Sequence, residues 1–162
     1  MKKPKALLFD LGDTILHGGK FEPEKGNAYL FSIIKDKKGV THDEILAQVK
    51  NLNEDITPKK EASGIEVSWA AFNRMVFERF DLSLPISDAE AELEFWKRSE
   101  QWSPAPGVKE MLDRTARMGI PAGIISNAAF SGRTLSWELE KHGLLNYFKF
   151  VIASSDYGAR KP

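Results

Sequence analysis

The run Ala6-Leu7-Leu8-Phe9-Asp10-Leu11-Gly12-Asp13-Thr14, near the amino terminus, turns from apolar to acidic and turn-forming within one residue. Residues 5–9 are a short apolar stretch closed by Asp10 and Gly12, the pattern of a strand buried on both faces. A carboxylate placed directly after such a strand sits at the rim of a sheet. Gly12 lets the backbone turn sharply there, and Thr14 offers a hydroxyl and a backbone N–H to an anion. A carboxylate so held can attack phosphorus and form an aspartyl phosphate, or ligate Mg2+, which favours carboxylates and water. It can equally do no more than cap a turn.

The pattern changes after this run. Residues 22–100 carry four amphipathic helical patterns and no strand. The first holds Tyr29, Leu30, Ile33 and Ile34. The second opens on the capping box Thr41-His42-Asp43-Glu44, and the fourth on Ser87-Asp88-Ala89-Glu90. The third carries Trp69, Phe72, Val76 and Phe80. Pro58 to Gly64 reads as a polar loop, with Lys59, Lys60 and Glu61 in it, splitting this bundle in two. Ser103-Pro104-Ala105-Pro106-Gly107 breaks the helical run. Beyond it a helix stopped by Gly119 leads to a strand over Ile120–Ile125. A second helix from about Ser131 to His142, stopped by Gly143 with Leu144 behind it, leads to a strand over Phe150–Ala153. Strand, helix and strand at this spacing imply parallel pairing. The fold class is therefore α/β: a Rossmann-like parallel core over residues 1–17 and 103–162, with an α-helical cap over 18–102.

Composition narrows the function. Lys+Arg number 23 and Asp+Glu number 23, so there is no basic excess to hold a nucleic acid or an anionic membrane surface. The chain has no cysteine, which excludes disulfides, thiol catalysis and Cys-ligated zinc and fits a cytoplasmic setting. No apolar run reaches the roughly 20 residues of a membrane span. The expected partner is a small molecule; the sequence does not set the oligomeric state.

In open parallel sheets, ligands bind beyond the carboxyl ends of the strands. Those ends carry Asp10–Thr14, Ser126-Asn127 and, some residues after the third strand, Arg160-Lys161-Pro162. Ser126 and Asn127 suit a phosphoryl oxygen or a helix cap. Lys161 suits a phosphate charge or a solvated loop. Three such segments in order resemble the haloacid dehalogenase-like (HAD) hydrolase superfamily. Phe9-Asp10-Leu11-Gly12-Asp13-Thr14-Ile15-Leu16 resembles its first motif, Gly123-Ile124-Ile125-Ser126-Asn127 its second, and Gly158-Ala159-Arg160-Lys161-Pro162 its third. The helical insert resembles its small cap.

The resemblance implies a Mg2+-dependent phosphatase of a small phosphorylated metabolite. Asp10 would be nucleophile and metal ligand, with the Gly12 carbonyl as a second ligand. Thr14, Ser126, Asn127 and Lys161 would bind the phosphoryl group, and Lys161 would also orient Asp10. Linkers near 16–21 and 101–106 would let the cap open and close, and a minority of the cap aromatics would line a substrate pocket. Two departures stand out. The family's phosphatases carry a second Asp two residues after the nucleophile; here that position is Gly12, and the adjacent acid, Asp13, one residue out of place, is the candidate catalytic acid/base through an altered loop. The alternative is thus a catalytically weak relative that binds a phosphorylated ligand or a partner. Dehalogenation ranks low, because no Arg for a halide lies near residues 17–40. The family's fourth motif, a further strand ending in acidic metal ligands, is also absent, so the complete protein is expected to be longer by roughly one or two βα units.

Overall fold

A computed structural model describes residues 4–161. Strand β1 (Leu7–Phe9) pairs in parallel with β4 (Ala122–Ser126), and β4 with β5 (Phe148–Ala153), giving a three-stranded sheet in the order β1-β4-β5. Register sets Leu7 opposite Ala122 and Phe9 opposite Ile124. Helix α5 (Val108–Arg117) precedes β4, and α6 (Gly132–Lys141) precedes β5. Two crossovers of one hand that step in one direction put both helices on one face. Val108, Leu112, Leu135 and Leu139 accordingly form one core with Ala122, Ile124 and Phe148.

The other face corrects an expectation: β1 is not buried on both sides. Leu8 is 64 % exposed, and Phe150 is also exposed, because no described helix packs there. Gly123 lies opposite Leu8 and is glycine for a local reason. A Cβ at this position would fall 2.4 Å from the Phe150 ring, which lies across the strand.

The cap is formed by α1 (Pro23–Ile33), α2 (His42–Ser63), α3 (Trp69–Glu78) and α4 (Asp88–Ser99). Both capping boxes form, at Thr41/Glu44 and Ser87/Glu90. Leu30, Ile45, Val76, Phe77 and Phe95 make a second core. The loop expected over Pro58–Gly64 is instead helix: α2 runs through Pro58 to Ser63 and ends on Gly64 in the left-handed conformation (φ 68°). Proline removes one helical hydrogen bond, and the flanking turns carry the helix past it. Lys59, Lys60 and Glu61 therefore lie on its last two turns.

A second difference concerns the linkers. Leu16–Gly18 (β2) and Trp102–Pro104 (β3) pair antiparallel, Leu16 opposite Pro104 and Gly18 opposite Trp102. The chain leaves and re-enters the core through one two-stranded ribbon. Three-residue strands carry too little alternation to be read from sequence. Among the described residues no helix is long and apolar enough to cross a membrane.

Candidate active site

β1 ends at Phe9, so Asp10 is the first residue past the carboxyl edge of the sheet. Its Oδ1 accepts the Leu11 N–H at 2.7 Å, and its Oδ2 lies 2.7 Å from Lys161 Nζ. Burial is the largest single influence on the Asp10 carboxyl and pushes its pKa up. The hydrogen bond from Lys161, the Leu11 N–H, the Lys161 charge and the Ser126 hydroxyl together outweigh it and hold the pKa below the ordinary value. Asp10 is thus ionised at neutral pH, as a carboxylate nucleophile must be.

Lys161 is fixed along its whole length. Its Nζ also donates to the Ile125 carbonyl at 3.1 Å. Its backbone N–H donates to Asn127 Oδ1 at 2.8 Å, and Asn127 Nδ2 donates to its carbonyl at 3.3 Å. The Asn127 side chain is therefore spent on the lysine. Ser126, the last residue of β4, is buried beside Asp10.

The 11–16 loop is wound tightly. The N–H groups of Ile15 and Leu16 both donate to the Leu11 carbonyl, and Asp13 N–H donates to the Leu16 carbonyl at 2.7 Å. Asp13 adopts a left-handed backbone (φ 54°), which Asp tolerates better than most residues. Its side chain is 87 % exposed and 3.4 Å from His17 Nδ1. Gly12 faces Trp102: a Cβ at position 12 would meet that ring at 3.4 Å, an ordinary contact. Asp10, Gly12, Asp13, Ser126 and Asn127 share a cleft of about 300 Å3 with Glu100 and Trp102. Thr14 is exposed and outside that lining, and its N–H points back to the Leu11 carbonyl at 3.4 Å.

Glu100 is a residue the sequence reading did not reach. It caps the carboxyl end of α4, and its Oε2 accepts the Trp102 indole N–H at 2.7 Å. Burial pushes its pKa up, the neighbouring Glu138 charge adds to this, and the Trp102 hydrogen bond opposes without prevailing. One carboxyl held down and another held up in the same cleft is a pairing that can serve acid–base chemistry. Nothing in the sequence separates Glu100 from the chain's other acids.

Three buried carboxylates tie cap to core. Glu92 on α4 accepts from the Ser131 N–H at 2.9 Å and from the Thr134 hydroxyl at 2.5 Å. Glu138 on α6 accepts the Trp96 indole N–H at 2.7 Å. Glu66 lies 2.8 Å from Arg160 and 2.5 Å from Lys60, and accepts the Ser154 hydroxyl at 2.9 Å. Around it the backbones of 64–66 and 158–160 pair, Glu66 N–H to Gly158 O and Arg160 N–H to Gly64 O. The segment that carries Lys161 is thus stitched to the cap.

Among the described residues no three His, Cys, Asp or Glu side chains cluster to hold a metal. The oxygen-bearing groups in the cleft lining include the Asp10 and Asp13 carboxylates, the Ser126 hydroxyl and the Gly12 backbone. Mg2+ commonly takes one or two carboxylates and keeps several waters, so this sparse set would fit Mg2+ with an open shell better than a closed protein cage.

No curated protein matches the chain. Among solved structures, one described as a dehalogenase aligns with a TM-score of 0.50 at 12 % identity, covering 100 % of this chain and 67 % of the other; this likeness concerns the fold. The L-2-haloacid dehalogenase RSc1362 aligns at 18 % identity and TM-score 0.47, over 99 % of this chain and 67 % of that one. YfnB from Bacillus subtilis, solved bound to magnesium, gives 18 % and 0.47 over 99 % and 70 %. A family model described as haloacid dehalogenase-like hydrolase matches residues 32–162, a stretch that begins after Asp10 and takes in Ser126, Asn127 and Lys161. With that match over most of its length, the chain belongs to the haloacid dehalogenase-like hydrolases.

Proposed function

We propose that this chain carries the site of a phosphatase acting on a small phosphate monoester through an aspartyl phosphate on Asp10. The observation that supports this most is the Asp10–Lys161 pair: an ionised, half-exposed carboxylate 2.7 Å from a lysine that three further contacts hold in place. Asp10 attacks phosphorus, the bond from phosphorus to the alcohol oxygen breaks, and that oxygen takes a proton. Water then attacks the aspartyl phosphate, gives up a proton, and releases inorganic phosphate and free Asp10. Lys161 and Ser126 meet the charge on the phosphoryl oxygens, which carry most of it in the transition state. The Asp10 carboxylate and the Gly12 carbonyl would hold Mg2+, whose chemistry when bound would be further neutralisation of that charge.

Glu100 is the carboxyl we assign to moving the proton, because burial favours its protonated form. Asp13 fits this task less well, since its side chain points to solvent and His17.

The test is Asp10→Asn assayed with 4-nitrophenyl phosphate and Mg2+. Turnover is expected to fall to background, and unchanged turnover would overturn the mechanism. Gly12 favours a second reading, binding of a phosphorylated ligand with little turnover. Stoichiometric binding by calorimetry without phosphate release would support it.

A further inference from the structure

Beside the Asp10 cleft lies a second cavity, of about 230 Å3, between the cap helices and the core. Ala129 and Phe130 line both, so the two spaces share a wall. Phe130 sits edge-on to Trp96 at 4.7 Å on the cleft side, and nearly parallel to Trp69 at 6.3 Å on the cavity side.

The second cavity has unusual walls. Trp69, Phe72, Phe95 and Phe130 supply aromatic surface. Asn27 and Asn73 also line it, at 6 % and 7 % exposure, and neither side chain has a hydrogen-bond partner among the described residues. Their polar atoms are open to the cavity and not enclosed by protein, so both carboxamides are free to pair with a ligand there. Lys60 is the one charged side chain in the lining, and it shares Glu66, at 2.5 Å, with Arg160 at 2.8 Å. A cation placed here would meet a lysine and no carboxylate in the lining.

We infer that this cavity receives the leaving group of the substrate, and that this group is ring-bearing, not cationic, and substituted with hydrogen-bonding groups such as a carboxamide or hydroxyl. The inference rests on the phosphatase reading for the word leaving, and on the cavity alone for the ligand class. Flat rings stack on the aromatic walls. A carboxamide both donates and accepts, so Asn27 and Asn73 read a polar substituent of either sense. The volume lies below the roughly 300–1,000 Å3 of sites that enclose drug-sized ligands, which favours a single ring over a nucleotide. Acyclic polyols leave the aromatic surface uncovered.

Binding and turnover separate the two readings. In ligand-observed saturation-transfer NMR, 4-hydroxybenzamide should bind the wild-type chain and the Asp10→Asn chain alike. Phenol should bind three- to tenfold more weakly, for want of the amide partner, and glycerol not at all. Asn73→Leu should erase the advantage of the amide over phenol. Equal signals for 4-hydroxybenzamide and glycerol would overturn the inference, as would equal affinity for 4-hydroxybenzamide and phenol in the wild type, a comparison that needs no variant. In turnover, 4-carbamoylbenzyl phosphate should exceed ethyl phosphate in kcat/KM by at least about tenfold, both losing an alkoxide. Selective ring binding with no phosphate release from either ester would uphold the cavity and refute the phosphatase.

Discussion

The Asn127 carboxamide grips the backbone of Lys161 from both sides, accepting its N–H at 2.8 Å and donating to its carbonyl at 3.3 Å. The lysine that pairs with Asp10 is therefore placed by a residue from the end of the neighbouring strand. Asn127→Leu keeps the volume and removes both bonds, which net about 0.5–1.5 kcal/mol each. Urea denaturation should show a loss of about 1–3 kcal/mol, and turnover should fall with it. Lys161→Met removes the main stabiliser of the Asp10 carboxylate, so the Asp10 pKa should rise. A carboxyl held below its unfolded value stabilises the fold above the unfolded pKa and loses that effect as pH falls through the folded one. Lys161→Met should therefore lessen the dependence of stability on pH in the acid range and move the acid limb of kcat/KM upward. An unmoved limb would mean that Asp10 is not the group titrating there.

Position 12 is open to an acid. Gly12 has no left-handed φ, and its missing Cβ would touch the Trp102 ring at 3.4 Å without displacing it. Gly12→Asp should fold with a melting temperature close to that of the wild type. If the chain lacks an efficient proton donor, the added carboxyl should raise turnover of ethyl phosphate at least tenfold, within the roughly 10²–10⁴ that a positioned general acid supplies.

Glu100 should reveal its role through the leaving group. A lost proton donor hurts poor leaving groups most, so Glu100→Gln should slow ethyl phosphate far more than 4-nitrophenyl phosphate. The same variant should be more stable than wild type at neutral pH. A carboxyl whose folded pKa is raised destabilises the fold once it is ionised, and this cost is absent below its unfolded pKa. The gain in melting temperature should therefore vanish near pH 4 and grow as pH rises. Gln can still accept the Trp102 N–H, so that bond does not confuse the comparison.

Glu66 joins the cap to the segment bearing Lys161. Its side chain is fully buried between Arg160 and Lys60. Glu66→Ala leaves two partly buried cations without their anion and should cost about 3 kcal/mol. Because Arg160 precedes Lys161, amide exchange should speed up at Gly158–Lys161 as well as around Glu66. Faster exchange confined to the cap would mean that the two segments are not coupled.

Much of this molecule can be read from its chain. The helices announce themselves by period and by caps: Thr41/Glu44 and Ser87/Glu90 are local interactions within one turn, and local interactions are written in adjacent residues. Strands β1, β4 and β5 follow from their apolar runs, and the positions of Asp10, Ser126 and Lys161 at or beyond their carboxyl ends follow from the parallel topology. What the sequence could not supply are relationships between residues far apart along it. That Asn127 serves Lys161, that Glu100 lies in the Asp10 cleft with its carboxyl pushed toward the protonated form, that the ribbon of β2 and β3 joins both linkers, and that Asn27 and Asn73 line one aromatic cavity unpaired all depend on through-space distance and burial. Those quantities exist only once the cap has closed on the core, because desolvation and pairing are set by whatever surrounds a group and not by its neighbours in the chain.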